Sequence, residues 1–159
     1  PLDNSLDKLT SLTHLTFGWC FNQPITNSLN NLTSLTHLTL GYEFNQKDDL
    51  PFNVTSISLN CNNAYYTNYL TDSIEEIELG EEFNLELNNL PSSIKKIVFH
   101  INSDYDKELN CLPIGLELLQ LPLRYNLSVQ NMPSGLKKLI CSKNYPFKTN
   151  FVCTEVETY

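Results

Sequence analysis

Apolar positions along this chain recur in blocks. Each block centres on an L-x-L element whose first leucine or isoleucine stands at Leu15, Leu38, Ile57, Ile77, Ile97, Leu119 and Leu139. An apolar residue lies three before each anchor (Leu12, Leu35, Val54, Ile74, Ile94, Leu116, Leu136), and another lies two after it (Phe17, Leu40, Leu59, Leu79, Phe99, Leu121, Cys141). Period two at the centre predicts a short strand that turns the anchor and its +2 neighbour to one side. The anchors are 23, 19, 20, 20, 22 and 20 residues apart. Such regular self-similarity predicts a solenoid, in which each unit buries its apolar side against its neighbours.

The return path of each unit carries a second apolar row. Six residues after the anchor comes an aromatic: Phe21, Phe44, Phe83, Tyr125 and Tyr145 in register, Tyr105 two residues late, and Tyr65 and Tyr66 in the third unit, which slips. Four residues further on, Ile25, Leu87, Leu109 and Val129 recur as aliphatics. Units open on Leu50-Pro51, Leu90-Pro91, Leu112-Pro113 or Met132-Pro133, where proline suits the turn into a strand. The spacing falls in the range of leucine-rich repeats, so the expected fold is a leucine-rich-repeat-like solenoid. About seven short parallel strands would form one curved sheet. Connections rich in Asn, Ser and Pro predict a convex side of irregular or short extended segments with few or no helices.

The whole chain, residues 1–159, reads as one domain. Residues 1–8 resemble the tail of a preceding half-unit, because Ser5-Leu6 matches Ser28-Leu29. The stretch 60–72 is the least regular and predicts a bulging loop. Residues 142–159, with Phe151, Cys153 and Val156 but no further L-x-L element, predict a C-terminal cap.

Charge narrows the partners. With 10 basic against 18 acidic residues the formal net charge is −8, which disfavours nucleic acid and anionic membranes, since both need a basic footprint. No apolar run approaches the ~20 residues that span a bilayer, and no secretory leader is visible. Five cysteines (Cys20, Cys61, Cys111, Cys141, Cys153) without a C-x-x-C pair read as reduced thiols. Catalytic signatures, cofactor motifs and a metal set are not expected. His14 and His37 share a register position, but His100 lies far along the stack as a third ligand.

The stretch LTFGWCFNQPI, repeated as LTLGYEFNQ, and GEEFN at residues 80–84 carry a specific resemblance. The chain resembles the FNIP repeat family, a leucine-rich-repeat variant found chiefly in social amoebae and in giant DNA viruses that infect amoebae. Phe21-Asn22, Phe44-Asn45 and Phe83-Asn84 carry the Phe-Asn of that family. The resemblance covers roughly residues 5–141 and implies protein–protein recognition. Where an F-box accompanies the repeats, it implies substrate delivery to a ubiquitin ligase; no F-box-like segment occurs within these 159 residues.

If the anchors point inward, the residues either side of them face out from the sheet. The expected protein-binding face comprises His14, Thr16, His37, Thr39, Glu76, Glu78, Lys96, Val98, Leu118, Gln120, Lys138 and Ile140, with Trp19 and Tyr42 at its rim. Val98, Leu118 and Ile140 are candidates for an apolar contact patch. Glu75 and Glu76 should stand beside Lys95 and Lys96, and Glu117 beside Lys95 and Lys137, as a register-fixing charge ladder. The expected function is a non-catalytic protein–protein interaction scaffold, cytoplasmic (in the host cytoplasm if viral). It could serve as the substrate-recognition part of an F-box-type adaptor. The alternative is a structural or surface protein of a virion or cell, glycosylated at the sequons of Asn31, Asn53 and Asn126.

Overall fold

The computed structural model describes residues 2, 4–25, 27–151 and 155–159. Within them the apolar blocks become strands: β1 His14–Thr16, β2 His37–Leu40, β3 Ser56–Leu59, β4 Glu76–Leu79, β5 Lys96–Phe99, β6 Leu118–Gln120, β7 Lys138–Cys141 and β8 Glu155–Thr158. They form one eight-stranded sheet in sequence order, with every pair parallel. The register joins anchor to anchor, Leu38 to Ile57, Ile57 to Ile77 and Ile77 to Ile97. Anchors and +2 residues alternate with the flanking positions as burial requires: Leu38 and Leu40 are buried, whereas His37 is exposed.

The eighth strand extends the sheet beyond the seven expected. Val156 pairs with Leu139 yet stays 44% exposed. β8 therefore attaches through its backbone groups to the edge of β7 rather than through an apolar row, and the absence of an L-x-L element concealed it. The Tyr159 hydroxyl donates to the Leu121 carbonyl behind it. Cys153, assigned to the cap, lies outside the described residues, as do Pro1 and Asp3 of the opening segment.

Residues 60–72 hold a single helical turn, α1 Ala64–Asn68, where the sequence predicted a loop. Asn63 caps it, accepting from the Tyr65 backbone N–H at 3.1 Å, which removes one of the unpaired donors that make so short a helix unfavourable. The turn rotates Tyr66 into the core, 6.0 Å from Phe44, while Tyr65 donates to Asp49 at 2.9 Å. The slipped aromatic thus still fills its slot.

Two ladders run along the return path and explain the Phe-Asn pair. Aromatic rings stack from unit to unit: Phe21 lies 6.1 Å from Phe44, Phe83 6.3 Å from Tyr105, Tyr105 6.1 Å from Tyr125 and Tyr125 6.1 Å from Tyr145. Beside them, the side-chain carbonyl oxygens of three asparagines accept from the backbone N–H of the next unit. Asn22 accepts from Asn45 at 2.9 Å, Asn62 from Asn84 at 2.8 Å and Asn84 from Asp106 at 3.2 Å. Coils with no helix on this side have no backbone ladder of their own, so side-chain amides satisfy these donors instead.

Adjacent coils also close up behind the strands. A Cβ at Gly41 would collide with the Gly18 carbonyl, whereas nothing lies within 4 Å of one at Gly18. The glycine after L-T-L is therefore required by close backbone approach, and that after L-T-F is not. The charge ladder forms as expected at Lys95–Glu75 (2.9 Å), Lys96–Glu76 (2.9 Å) and Lys137–Glu117 (2.7 Å). These carboxylates and ammonium groups are largely solvated, so they set register more than they stabilise. Lys95 acts on Glu117 only through its field, while Lys137 donates to it directly; together they hold its carboxyl below the usual range.

Candidate interaction surface

The twelve residues assigned to the outer face all stand on the strands, at the two positions that flank each anchor, and all retain solvent access. Much of their polarity is already engaged. Lys96 pairs with Glu76 at 2.9 Å, and Lys138 bridges Glu155 (3.0 Å) and Glu157 (2.6 Å) of β8. Gln120 donates to the Phe99 carbonyl at 3.1 Å, and Ser58 to Glu78 at 3.1 Å. A partner meets a face whose side chains are held by their neighbours before it arrives, which lowers the ordering cost of binding.

His14 and His37 lie one above the other, ring centroids 4.0 Å apart and 11° from parallel. The hydroxyls of Thr13 and Thr36 each reach the Nδ1 of the following histidine, at 2.9 and 2.8 Å. This is a stacked pair held in place by its own threonines. Among the described residues no group of three or more His, Cys, Asp or Glu is placed to hold a metal ion.

The register breaks the apolar patch that the sequence indicated. Val98 and Ile140 sit on either side of Gln120, and Leu118 sits between Lys96 and Lys138. Each of the three apolar side chains is thus opposed directly across the strands by polar ones, and each is half-buried. Larger apolar groups stand instead at the rim, four residues beyond the anchors. Trp19 is 62% exposed and stacks on Tyr42 at 4.5 Å. Ile101 and Leu123 occupy the same rim position further along, joined by the hydrogen bond from the Leu123 N–H to the Ile101 carbonyl. The sequence reading did not name these two, although the +4 offset they share with Trp19 and Tyr42 is a signal that marks them.

Two shallow hollows follow the line between face and rim. One, of ≈ 460 Å³, is floored by Ser58, Glu78, Val98 and Gln120 and bounded by His100 and Ile101. The other, of ≈ 430 Å³, lies between the Trp19–Tyr42 pair and Glu81, Glu82 and His100. His100 Nδ1 stands 3.8 Å from the Glu81 carboxylate.

The three sequons differ in their environment. The Asn53 amide donates to the Leu32 carbonyl at 3.0 Å and also to that of Leu35, so its nitrogen is committed to joining two coils. Asn31 and Asn126 are exposed. Cys20 and Cys111 are exposed thiols and Cys61 a buried one, none of them in a disulfide; burial pushes the Cys61 thiol up.

The family model for the FNIP repeat matches residues 62–102. That stretch contains α1, β4, β5 and the Asn62–Asn84 rung of the ladder. Over that stretch the chain is similar to the FNIP repeat. Among solved structures, CroV588, a giant-virus protein described as a novel circular leucine-rich-repeat structure, is similar at 29% identity and a TM-score of 0.64. The similarity covers 86% of this chain and 24% of that one, so the chain spans about a quarter of the length of that neighbour. A comparison with curated proteins gives no match. In this chain each leucine-rich-repeat-like coil closes on its return path through the aromatic stack and the asparagine rungs rather than through a long helix. No helix among the described residues is long and apolar enough to cross a membrane.

Proposed function

We propose that this FNIP-repeat solenoid is a non-catalytic scaffold that binds another protein through its outer sheet face and the adjoining rim. The observation that carries the reading is the contrast between the two sides. The return path is closed by ladders that join coil to coil, while the sheet side presents ordered, solvent-accessible side chains over eight strands, roughly 35 Å at ~4.8 Å each. Exposed aromatics beside an ordered polar surface are what protein interfaces favour. The exposed thiols of Cys20 and Cys111 suit a reducing compartment, hence a cytoplasmic setting. Substrate capture for an F-box-type ligase is one specific form of this scaffold function.

The test reverses the face without touching the core. A variant carrying Lys96→Glu, Val98→Lys, Leu118→Lys and Gln120→Lys should lose at least tenfold in affinity for a partner recovered by the unaltered protein, with unfolding little changed. Substitutions of the same size at Asn88, Glu108 and Gln130 on the return path should leave binding intact. Partner binding that survives the face reversal would remove the proposal. Glycan mass at Asn31 or Asn126 on the native protein would favour the surface alternative.

A further inference from the structure

The rim row reads Trp19, Tyr42, Cys61, Glu81, Ile101, Leu123 and Lys143. Its third member is missing from the surface. Cys61 is 2% exposed, because the chain turns inward there to start α1, and the rim is notched at that coil. The notch is the ≈ 430 Å³ hollow, floored by Thr39 and Asn60, with Tyr42 and Trp19 on one side and Glu81 and Glu82 on the other. Tyr42 and Glu81 follow strands β2 and β4, two apart, which sets the walls about 10 Å from each other. That width admits one side chain between an aromatic wall and a carboxylate wall.

The carboxylates of the notch differ from most of those on the strands, where Glu78, bonded by the Ser58 hydroxyl, is the exception. Glu75, Glu76, Glu117, Glu155 and Glu157 each face a lysine within 3.0 Å. Glu82 makes no ion pair among the described residues, and Glu81 meets only His100, at 3.8 Å, which is charged only when protonated. An aromatic wall attracts cations through its electron-rich face, and opposed carboxylates add to that attraction. The chain as a whole, at −8, steers a basic partner toward itself.

We propose that this slot takes an arginine side chain of the partner protein, its guanidinium lying against Tyr42 and its N–H groups donating to the carboxylates of Glu81 and Glu82. Arginine fits better than lysine because its planar fork stacks on an aromatic ring and bonds a carboxylate in two places at once. The assignment rests on the scaffold reading and narrows it to a partner with an exposed basic segment. A protein engaging the face would then carry arginine at the point that meets the third coil.

Trp19 is the sole tryptophan, so its fluorescence and its indole N–H NMR signal report on the slot directly. The intact chain is titrated with N-acetyl-arginine amide, and in parallel with the neutral isostere N-acetyl-citrulline amide. Arginine should give a saturable change, with citrulline about tenfold weaker, the scale of a solvent-exposed cation–π contact plus an ion pair. Glu81→Gln with Glu82→Gln should weaken the arginine response by about tenfold at unchanged thermal stability. The absence of saturation, an equal response to citrulline, an unaltered response in the double variant, or a stronger response to a neutral disaccharide would each overturn the assignment. If the probe fails while the face-reversed variant still loses its partner, the slot assignment falls and the scaffold reading stands.

Discussion

Tyr105 and Tyr125 occupy adjacent rungs of one aromatic stack, 6.1 Å apart and both 3% exposed. Their hydroxyls have opposite fates. That of Tyr125 donates to the Lys107 carbonyl at 3.2 Å, while that of Tyr105 is buried with no partner among the described residues. Removal of the same oxygen atom should therefore change stability in opposite directions. Tyr105→Phe relieves an unsatisfied buried hydroxyl and should stabilise by about 1 kcal/mol. Tyr125→Phe loses a hydrogen bond worth about 1 kcal/mol and strands the Lys107 carbonyl, for a total cost of about 2 kcal/mol. At roughly 2–4 °C per kcal/mol for a chain of this size, the two variants should melt about 6–12 °C apart, on opposite sides of the parent. Circular dichroism against temperature, with urea unfolding as a check on the m value, reads both. Equal destabilisation by the two substitutions would refute the assignment of partners along the stack.

Other outcomes follow from the same geometry. Ile97→Ala, at a fully buried central anchor, should cost about 2–5 kcal/mol, and Val156→Ala on β8 well under half of that; equal costs in urea unfolding would contradict nearest-neighbour stacking. Gly41→Ala should destabilise by about 1–3 kcal/mol through collision with the Gly18 carbonyl, while Gly18→Ala should be close to neutral by the same assay. Asn62→Ala should cost about 0.5–1.5 kcal/mol by removing the acceptor of the Asn84 N–H, and hydrogen exchange at that amide should speed up. Burial raises the Tyr145 phenol to about 12, and it raises Tyr66, Tyr105 and Tyr125 likewise. A raised folded-state value means that stability is fully present below the ordinary phenol value of about 10 and is lost as pH climbs through about 12, so urea midpoints should fall across that window.

The strands were legible because their signal is local: apolar residues at −3, 0 and +2 are enough to place each coil, and the charge ladder followed once the register was known. The return path was legible only in part. Its aromatic row was evident, yet nothing in the residue type of Asn22 or Asn62 separates a ladder asparagine from an exposed loop asparagine. That role exists only when two coils stand side by side. β8 escaped notice because an edge strand held by its backbone needs no apolar pattern, and α1 because one capped turn leaves too few residues for periodicity. On the candidate surface, the row of outward residues was predictable from the period of two. Gln120 and the lysines opposite Val98, Leu118 and Ile140 followed from the same alignment of anchors, whereas the notch above Cys61 becomes visible only through the path of α1.

The central claim is that the sheet side, and not the return path, meets a partner. A photoreactive amino acid placed singly at Val98 on the face, or at Asn88 on the return path, measures this most directly in cells that express the native partner. The account predicts one discrete cross-linked protein from position 98, none from position 88, and loss of the product when the rest of the face is reversed. Cross-linking from 88 with none from 98 would contradict it.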